Sequence, residues 1–237
     1  MAFVLVALSV LLFALHVAVF RDLKGLAFYL ALDVVFVPIQ VLLVTLILER
    51  LLEERERLSM IRKLNMVVGA FFGEVGSDLA RRVGRLCGNA GELAQRLAVD
   101  VQWTDAEFRA ATRFAESFRG EFARDRDWLS ELRGFLLAKR SFVLGLLQNP
   151  NLLEHDRFTD ALWAVCHLTE ELEARTDPAT LPDSDVDHLI ADVHRAFGML
   201  MREWLAYMRH LQDAYPYMYS LAVRANPFRP DASPVVR

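Results

Sequence analysis

Two histidine and carboxylate pairs in the C-terminal half have the types and spacing of metal ligands. His167 and Glu171, and His188 and Asp192, each stand four residues apart. On a helix that spacing puts an imidazole and a carboxylate on one face, a pairing that can hold a divalent ion. Both histidines project opposite the apolar faces of their predicted helices, so the pairs need a second helix interface to meet. His155 and His194 add further imidazoles, but no Glu-x-x-His pair of the di-iron bundle type occurs. The competing reading is a set of solvated histidines.

Other chemistry is thinly represented. Asp183, Asp185 and Asp187 alternate like the opening of a calcium loop, yet His188 and His194 occupy the positions where an EF-hand needs Gly and Glu. Carboxylates at a helix N-terminus account for them better. Cys166 adjoins His167, but neighbours in sequence point to different helical faces, and no G-x-G-x-x-G or Walker pattern is present. No nucleophile, base and oxyanion set can be assembled, so the chain is expected not to be an enzyme and to carry no cofactor.

A second group of candidates lies in apolar surroundings. Ser9 and His16 are seven residues apart, as are Asp33 and Gln40, and each pair falls on one face of a run that otherwise holds almost no polar residue. Ionisable groups in a bilayer are costly and face a partner or a water-filled path. The spacing predicts an Asp33 to His16 contact extended by Ser9 and Gln40. In an oligomer, Asp33 and Gln40 would instead line a pore, with Asp33 as a cation-attracting ring.

These residues sit in runs 2–20 and 26–48, each long enough for a bilayer core, which takes roughly 20 helical residues at about 1.5 Å rise. The polar break 21–25 permits only a tight turn, so the runs are expected to form a transmembrane hairpin. A cleaved signal peptide is disfavoured because no Lys or Arg precedes Arg21. The turn carries Arg21 and Lys24, whereas Arg50, Arg55, Arg57, Arg62 and Lys63 follow the second run, which places both termini in the cytoplasm. The formal net charge of -4 gives no footprint for nucleic acid. Two isolated cysteines fit a reducing compartment. Only three of the 27 basic residues are lysine, a bias that resembles a GC-rich bacterial genome and suggests a bacterial inner membrane.

Beyond the membrane the chain reads as helix, giving an all-α fold. Val44, Ile47, Leu51, Leu58, Ile61, Asn65 and Val68 keep a 4-3 spacing that extends the second span through 49–68 as a coiled-coil seam, open to a neighbouring protomer. A cytosolic helical bundle over 69–225 follows, with a tail over 226–237 that is expected to be disordered past Pro230. Six of the eleven glycines fall between 69 and 91, a density that suggests close helix contact. Thr104 and Glu107 form a capping box for a helix over 104–124, and further helices are predicted over 127–147, 153–175 and 185–214. The aromatic segment 215–228 is expected to bury against the bundle or a partner. The chain therefore reads as a membrane-anchored scaffold or sensor, in contact with lipid and working as a homo-oligomer or with a protein partner. A cation channel and a metal sensor are the alternatives.

Overall fold

The computed structural model describes residues 2–150, 152 and 156–236, and within them all side chains except those of 2, 20, 23, 26 and 57–62. His155 lies outside the described residues. All regular secondary structure among the described residues is helical, with one isolated antiparallel bridge between Cys87 and Phe122. The chain divides into two compact units, Met1–Ser59 and Met60–Arg237.

The first unit holds α1 (Ala2–Phe20) and most of α2 (Leu23–Phe71). The predicted five-residue break shrinks to Arg21 and Asp22. Arg21 takes the left-handed φ of 50°, and the Asp22 carboxylate accepts the Gly25 N–H at 2.9 Å, which satisfies a donor that the helix start would otherwise leave open. Within α2 the stretch Ala27–Glu56 is long and apolar enough to cross a bilayer, while the apolar stretch Phe3–Val19 of α1 is shorter. Among the described residues one helix of spanning length thus stands where two were expected. Pro38 lies inside α2 without ending it, at the cost of one backbone hydrogen bond.

The second unit is organised around α8 (Asp183–Ala214), which buries residues on most of its circumference. Packed on it are α7 (Asp156–Glu173), α5 (Asp105–Ser117), α3 (Ser77–Leu86) and α9 (Pro216–Arg224), while α6 (Arg126–Leu147) covers α7 and α4 (Ala90–Arg96) adjoins α3. Apolar periodicity explains these contacts: Phe158, Leu162, Val165 and Leu172 face inward from α7, and Val193, Phe197, Leu200, Trp204, Met208 and Leu211 from α8. Aromatic rings fill the junctions. Phe71 meets Phe158 edge-on at 5.5 Å, Phe72 stacks on Tyr207 at 5.3 Å, and Trp204 meets Phe228 at 4.9 Å.

Several boundaries differ from the sequence pattern for physical reasons. The Thr104 capping box forms, with Glu107 N–H donating to Thr104 Oγ1 and Thr104 N–H to Glu107 Oε2. The helix it opens nevertheless ends at Ser117 rather than near residue 124. Gly120 makes room for the Phe122 ring, which a Cβ there would meet at 2.4 Å, and the chain turns so that Phe118 and Phe122 both reach Phe197. In the glycine-rich stretch, a π-helical turn (Phe72–Gly76) replaces regular helix, and a Cβ on Gly76 would meet the rings of Phe71 and Phe72 at 2.7 Å. Gly73 faces nothing within 4 Å, so close helix contact explains only part of the glycine density. The 4-3 seam is used internally at its lower end. Val68 is buried, and Asn65 Nδ2 lies 3.1 Å from His210 Nδ1 on α8.

The C-terminal segment is built into the unit rather than trailing from it. Asn226 is fully buried, donates to Leu97 C=O at 2.8 Å and accepts the Phe228 N–H at 2.9 Å. Past Pro230 the chain still returns a hydrogen bond from Ser233 N–H to Arg224 C=O at 3.0 Å, so the expectation of disorder there is corrected. Tyr219 buries and donates to Asp100 C=O at 2.6 Å, whereas Tyr217 is exposed. Replacing Asn226 with Ala leaves the buried Phe228 N–H unpaired and removes one of the two hydrogen bonds at Leu97 C=O, which Val99 N–H still satisfies. Such an unpaired group costs about 1–3 kcal/mol. Denaturant unfolding of the Asn226→Ala protein in detergent is expected to show a loss of that order, and an unchanged midpoint would remove Asn226 as the tail's anchor.

Candidate functional site

Helices α7 and α8 run antiparallel: Arg157 at the start of α7 pairs with Glu203 far along α8, and Glu171 near the end of α7 meets His188 near the start of α8. Apolar packing of Val165, Leu168 and Leu172 against α8 draws the two backbones together. The α8 side turned to this seam includes Leu189, Asp192 and Ala196, one step around the helix from the stripe that the periodicity emphasises. Asp192 is therefore carried inside, and His167, Glu171 and His188 gather at the rim above it.

The four groups converge closely. Nε2 of His167 and Nε2 of His188 each lie 3.5 Å from Asp192 Oδ2. His188 Nε2 is 3.4 Å from Glu171 Oε2, and His167 Nε2 is 3.9 Å from Glu171 Oε1. Ligand atoms of His167, Glu171 and Asp192 all fall within 4.8 Å of one another. A tetrahedral zinc site with bonds of about 2.0–2.1 Å has edges of about 3.3 Å, so His167, Glu171 and Asp192 are placed near the spacing of three ligands, with His188 close to two of them. The interface that the two pairs needed is supplied by the α7 and α8 seam.

Asp192 is the unusual member. Its side chain is 2 % exposed, and neither carboxylate oxygen accepts a hydrogen bond. Arg195 Nη1 stands 3.0 Å from Oδ1, at ion-pair distance but outside hydrogen-bond geometry, and its own side chain is more than half exposed. A buried carboxylate without hydrogen bonds is expensive to maintain, and a bound cation is one group that would satisfy it. Beside it, Glu171 is held in place by Arg175, whose Nη1 donates to both Glu171 Oε2 and Glu171 C=O at 2.7 Å. Arg175 in turn grips Asp185 with two hydrogen bonds of 2.6 and 2.7 Å. The Glu171 carboxylate is thus oriented by a guanidinium tied to the start of α8.

Comparison with known proteins reaches both units. Residues 60–224 match the family described as "Uncharacterized protein MJ1433, C-terminal helical domain", and residues 1–52 match "MJ1433, N-terminal helical domain". The uncharacterized protein MJ1433 of Methanocaldococcus jannaschii is 40 % identical over 227 residues, covering 96 % of this chain and 91 % of that one. The chain belongs to the MJ1433 family. No solved structure matches it.

The other candidate residues of this MJ1433-family chain are placed differently. Ser9, His16, Asp33 and Gln40 are all exposed along α1 and α2, and Asp33 makes no hydrogen bond or ion pair among the described residues. Among the described residues no hydrogen bond or ion pair joins Asp33 to His16. His194 stands apart from the cluster, edge-on to Phe122 at 6.2 Å, and burial pushes its pKa down. The three alternating aspartates are engaged by arginines: Asp187 by Arg124, Asp183 by Arg126 and Arg124, and Asp185 by Arg175. Cys87 and Cys166 are free thiols whose pKa values burial raises, away from thiolate chemistry. Sequence reasoning missed Arg175 and Arg195, although Arg175 follows Glu171 by the ion-pair spacing of four.

The arginine clamp makes a statement about acid stability. The hydrogen bond from Arg175 holds both the Asp185 and Glu171 carboxyls below their ordinary values of 3.8 and 4.5. Depressed carboxyls stabilise the fold fully above the ordinary value, and that contribution fades as pH falls through the folded value. Unfolding midpoints measured from about pH 5 to about pH 3 should therefore fall, and Asp185→Asn should flatten the decline. An equally steep acid limb in the variant would show that the clamp is not its source.

Proposed function

We propose that this chain is a membrane-anchored helical protein whose larger unit binds one divalent transition-metal ion at His167, Glu171, His188 and Asp192, and that it works as a metal-responsive sensor or scaffold rather than as a catalyst. The observation that carries the reading is Asp192: a carboxylate buried in a helix seam, unpaired by any hydrogen bond, with two imidazoles aimed at one of its oxygens. Two imidazoles and two carboxylates suit zinc and neighbouring first-row ions better than the all-oxygen shells of calcium or magnesium. Metal binding would replace the Arg195 charge, whose exposed side chain is free to swing into water.

The anchor is supported by α2, whose stretch Ala27–Glu56 is apolar and has none of its length buried within the chain. With the basic residues that follow it, the positive-inside rule puts the larger unit on the cytoplasmic side. In this reading α1 completes a two-span hairpin. A homo-oligomer is the second reading, and Asp33 favours it: a carboxylate exposed on a lipid-facing helix requires a partner or an aqueous path. Such an assembly, with α2 facing inward, would be a cation-conducting one.

Titration of zinc into the full chain in detergent is expected to give one ion per chain, and cobalt to give the absorption of a tetrahedral site. Asp192→Asn and His167→Gln should each weaken binding by about 10–100-fold. Arg195→Gln should tighten it by removing a competing cation. Absence of binding, or binding indifferent to Asp192→Asn, would end the metal reading. Membranes washed with alkaline carbonate should retain the chain, and release into the supernatant would end the anchored one. For the oligomer, the mass of the detergent particle decides, since a monomer excludes a pore lined by α2.

A further inference from the structure

A second concentration of charge lies away from the metal ligands, on the face where α5 crosses α8. Arg109 and Arg113 of α5, Arg202 and Arg209 of α8 and Arg157 of the first turn of α7 line one groove of about 360 Å³. The gathering runs against the chain's overall charge of -4. It is also internally unfavourable, because Arg109 and Arg113 are four residues apart on one helix, where like charges repel.

The counter-charges in the groove do not balance it. Arg157 lies 3.2 Å from Oε1 of the buried Glu203, and Arg209 pairs with Asp105 and with Asp213. Those two guanidinium groups are thereby fixed, and Arg209 also lies over the Phe108 ring at 5.8 Å. The guanidinium groups of Arg109, Arg113 and Arg202 have no hydrogen bond or ion pair among the described residues. Glu116 is the only lining carboxylate left for these three, and it too makes no such contact. Phe108 and Leu205 give the groove an apolar floor. Three uncommitted guanidinium groups set over an apolar floor form a site for an oxyanion with several acceptor oxygens, since each planar fork can engage two oxygens at once.

We propose that the groove between α5 and α8 binds a phosphate-bearing anion, held by Arg109, Arg113 and Arg202 and positioned by the fixed Arg157 and Arg209. The phosphate can belong to a free diphosphate or to a lipid headgroup, and both present the same chemistry to the groove. This site stands independently of the metal site, which uses none of these side chains.

The test uses the full chain in uncharged detergent and metal-free buffer, so that the two sites are read separately. Inorganic pyrophosphate is titrated in one arm and phosphatidylglycerol is doped into the micelles in another, with sodium chloride at matched ionic strength as the reference. Saturable protection against thermal unfolding is expected, and the double substitution Arg113→Gln with Arg202→Gln should weaken it by about tenfold or more. Neither guanidinium has a hydrogen-bond or ion-pair partner among the described residues, and an unchanged melting temperature of the ligand-free variant checks that it is intact. Protection by pyrophosphate alone identifies a free phosphate ligand, protection by the lipid alone a headgroup, and protection by both the phosphate as such. No protection in either arm, protection equal to that of sodium chloride, or protection undiminished in the variant would overturn the proposal.

Discussion

The close antiparallel contact between α7 and α8 is the constraint on which the rest of the larger unit depends. Its apolar strip, including Val165, Leu168 and Leu172 against Leu189, Val193 and Ala196, is dry and buried. Because α8 also packs on α3, α5 and α9, fixing this seam fixes the unit's remaining helices. Two charged positions enter the strip from α8, Glu203 and Asp192, and both are almost fully covered. Arg157 lies at ion-pair distance from Glu203. Asp192 has two imidazoles and an off-axis arginine near it but no hydrogen bond, so the seam carries a local cost that apolar packing alone does not relieve.

The surroundings of Asp192 resemble a prepared site more than an accident of packing. Arg175 reaches from the end of α7 to the start of α8, binding the Glu171 side chain, its carbonyl and Asp185 at once. That linkage limits how far Glu171 can rotate away from the two histidines. Arg124 and Arg126, entering from the segment before α6 and its first turn, hold Asp187 and Asp183 in the same way. The first turn of α8 is therefore pinned from two directions, and His188 follows directly on it. Preorganisation of this kind lowers the reorganisation needed for a ligand to bind.

Much of this architecture was legible in the residues and some of it was not. Helix identity followed from apolar periodicity and from local signals such as the Thr104 box, because these depend on nearby atoms. The i, i+4 pairs at His167 and His188 were readable for the same reason. Their convergence was not, since it depends on which side of α8 meets α7, and the stripe from Val193 to Trp204 is only one of the faces that α8 buries. The end of α5 was missed because Gly120 and the rings of Phe118 and Phe122 act through Phe197, more than seventy residues away in sequence. The tail was misjudged in the same manner: Asn226 is polar and near a chain end, and only its partner at Leu97 makes it structural.

Asp33 poses the opposite problem from Asp192. One carboxylate is enclosed by protein and has cationic groups at hand, while the other stands exposed on a helix whose surroundings are apolar side chains. If α2 lies in lipid, Asp33 carries a penalty that no hydrogen bond or ion pair among the described residues relieves, and no basic residue of α2 lies within one turn of it. Relief then has to come from another chain, from water or from protonation, and the first two imply assembly or a path. The exposed Gln40, two turns further along the same face, gives a neighbouring protomer a second polar position to meet. The same arithmetic that favours a cation beside Asp192 thus favours, for an Asp33 set in lipid, a proton, water or a polar group from a second chain.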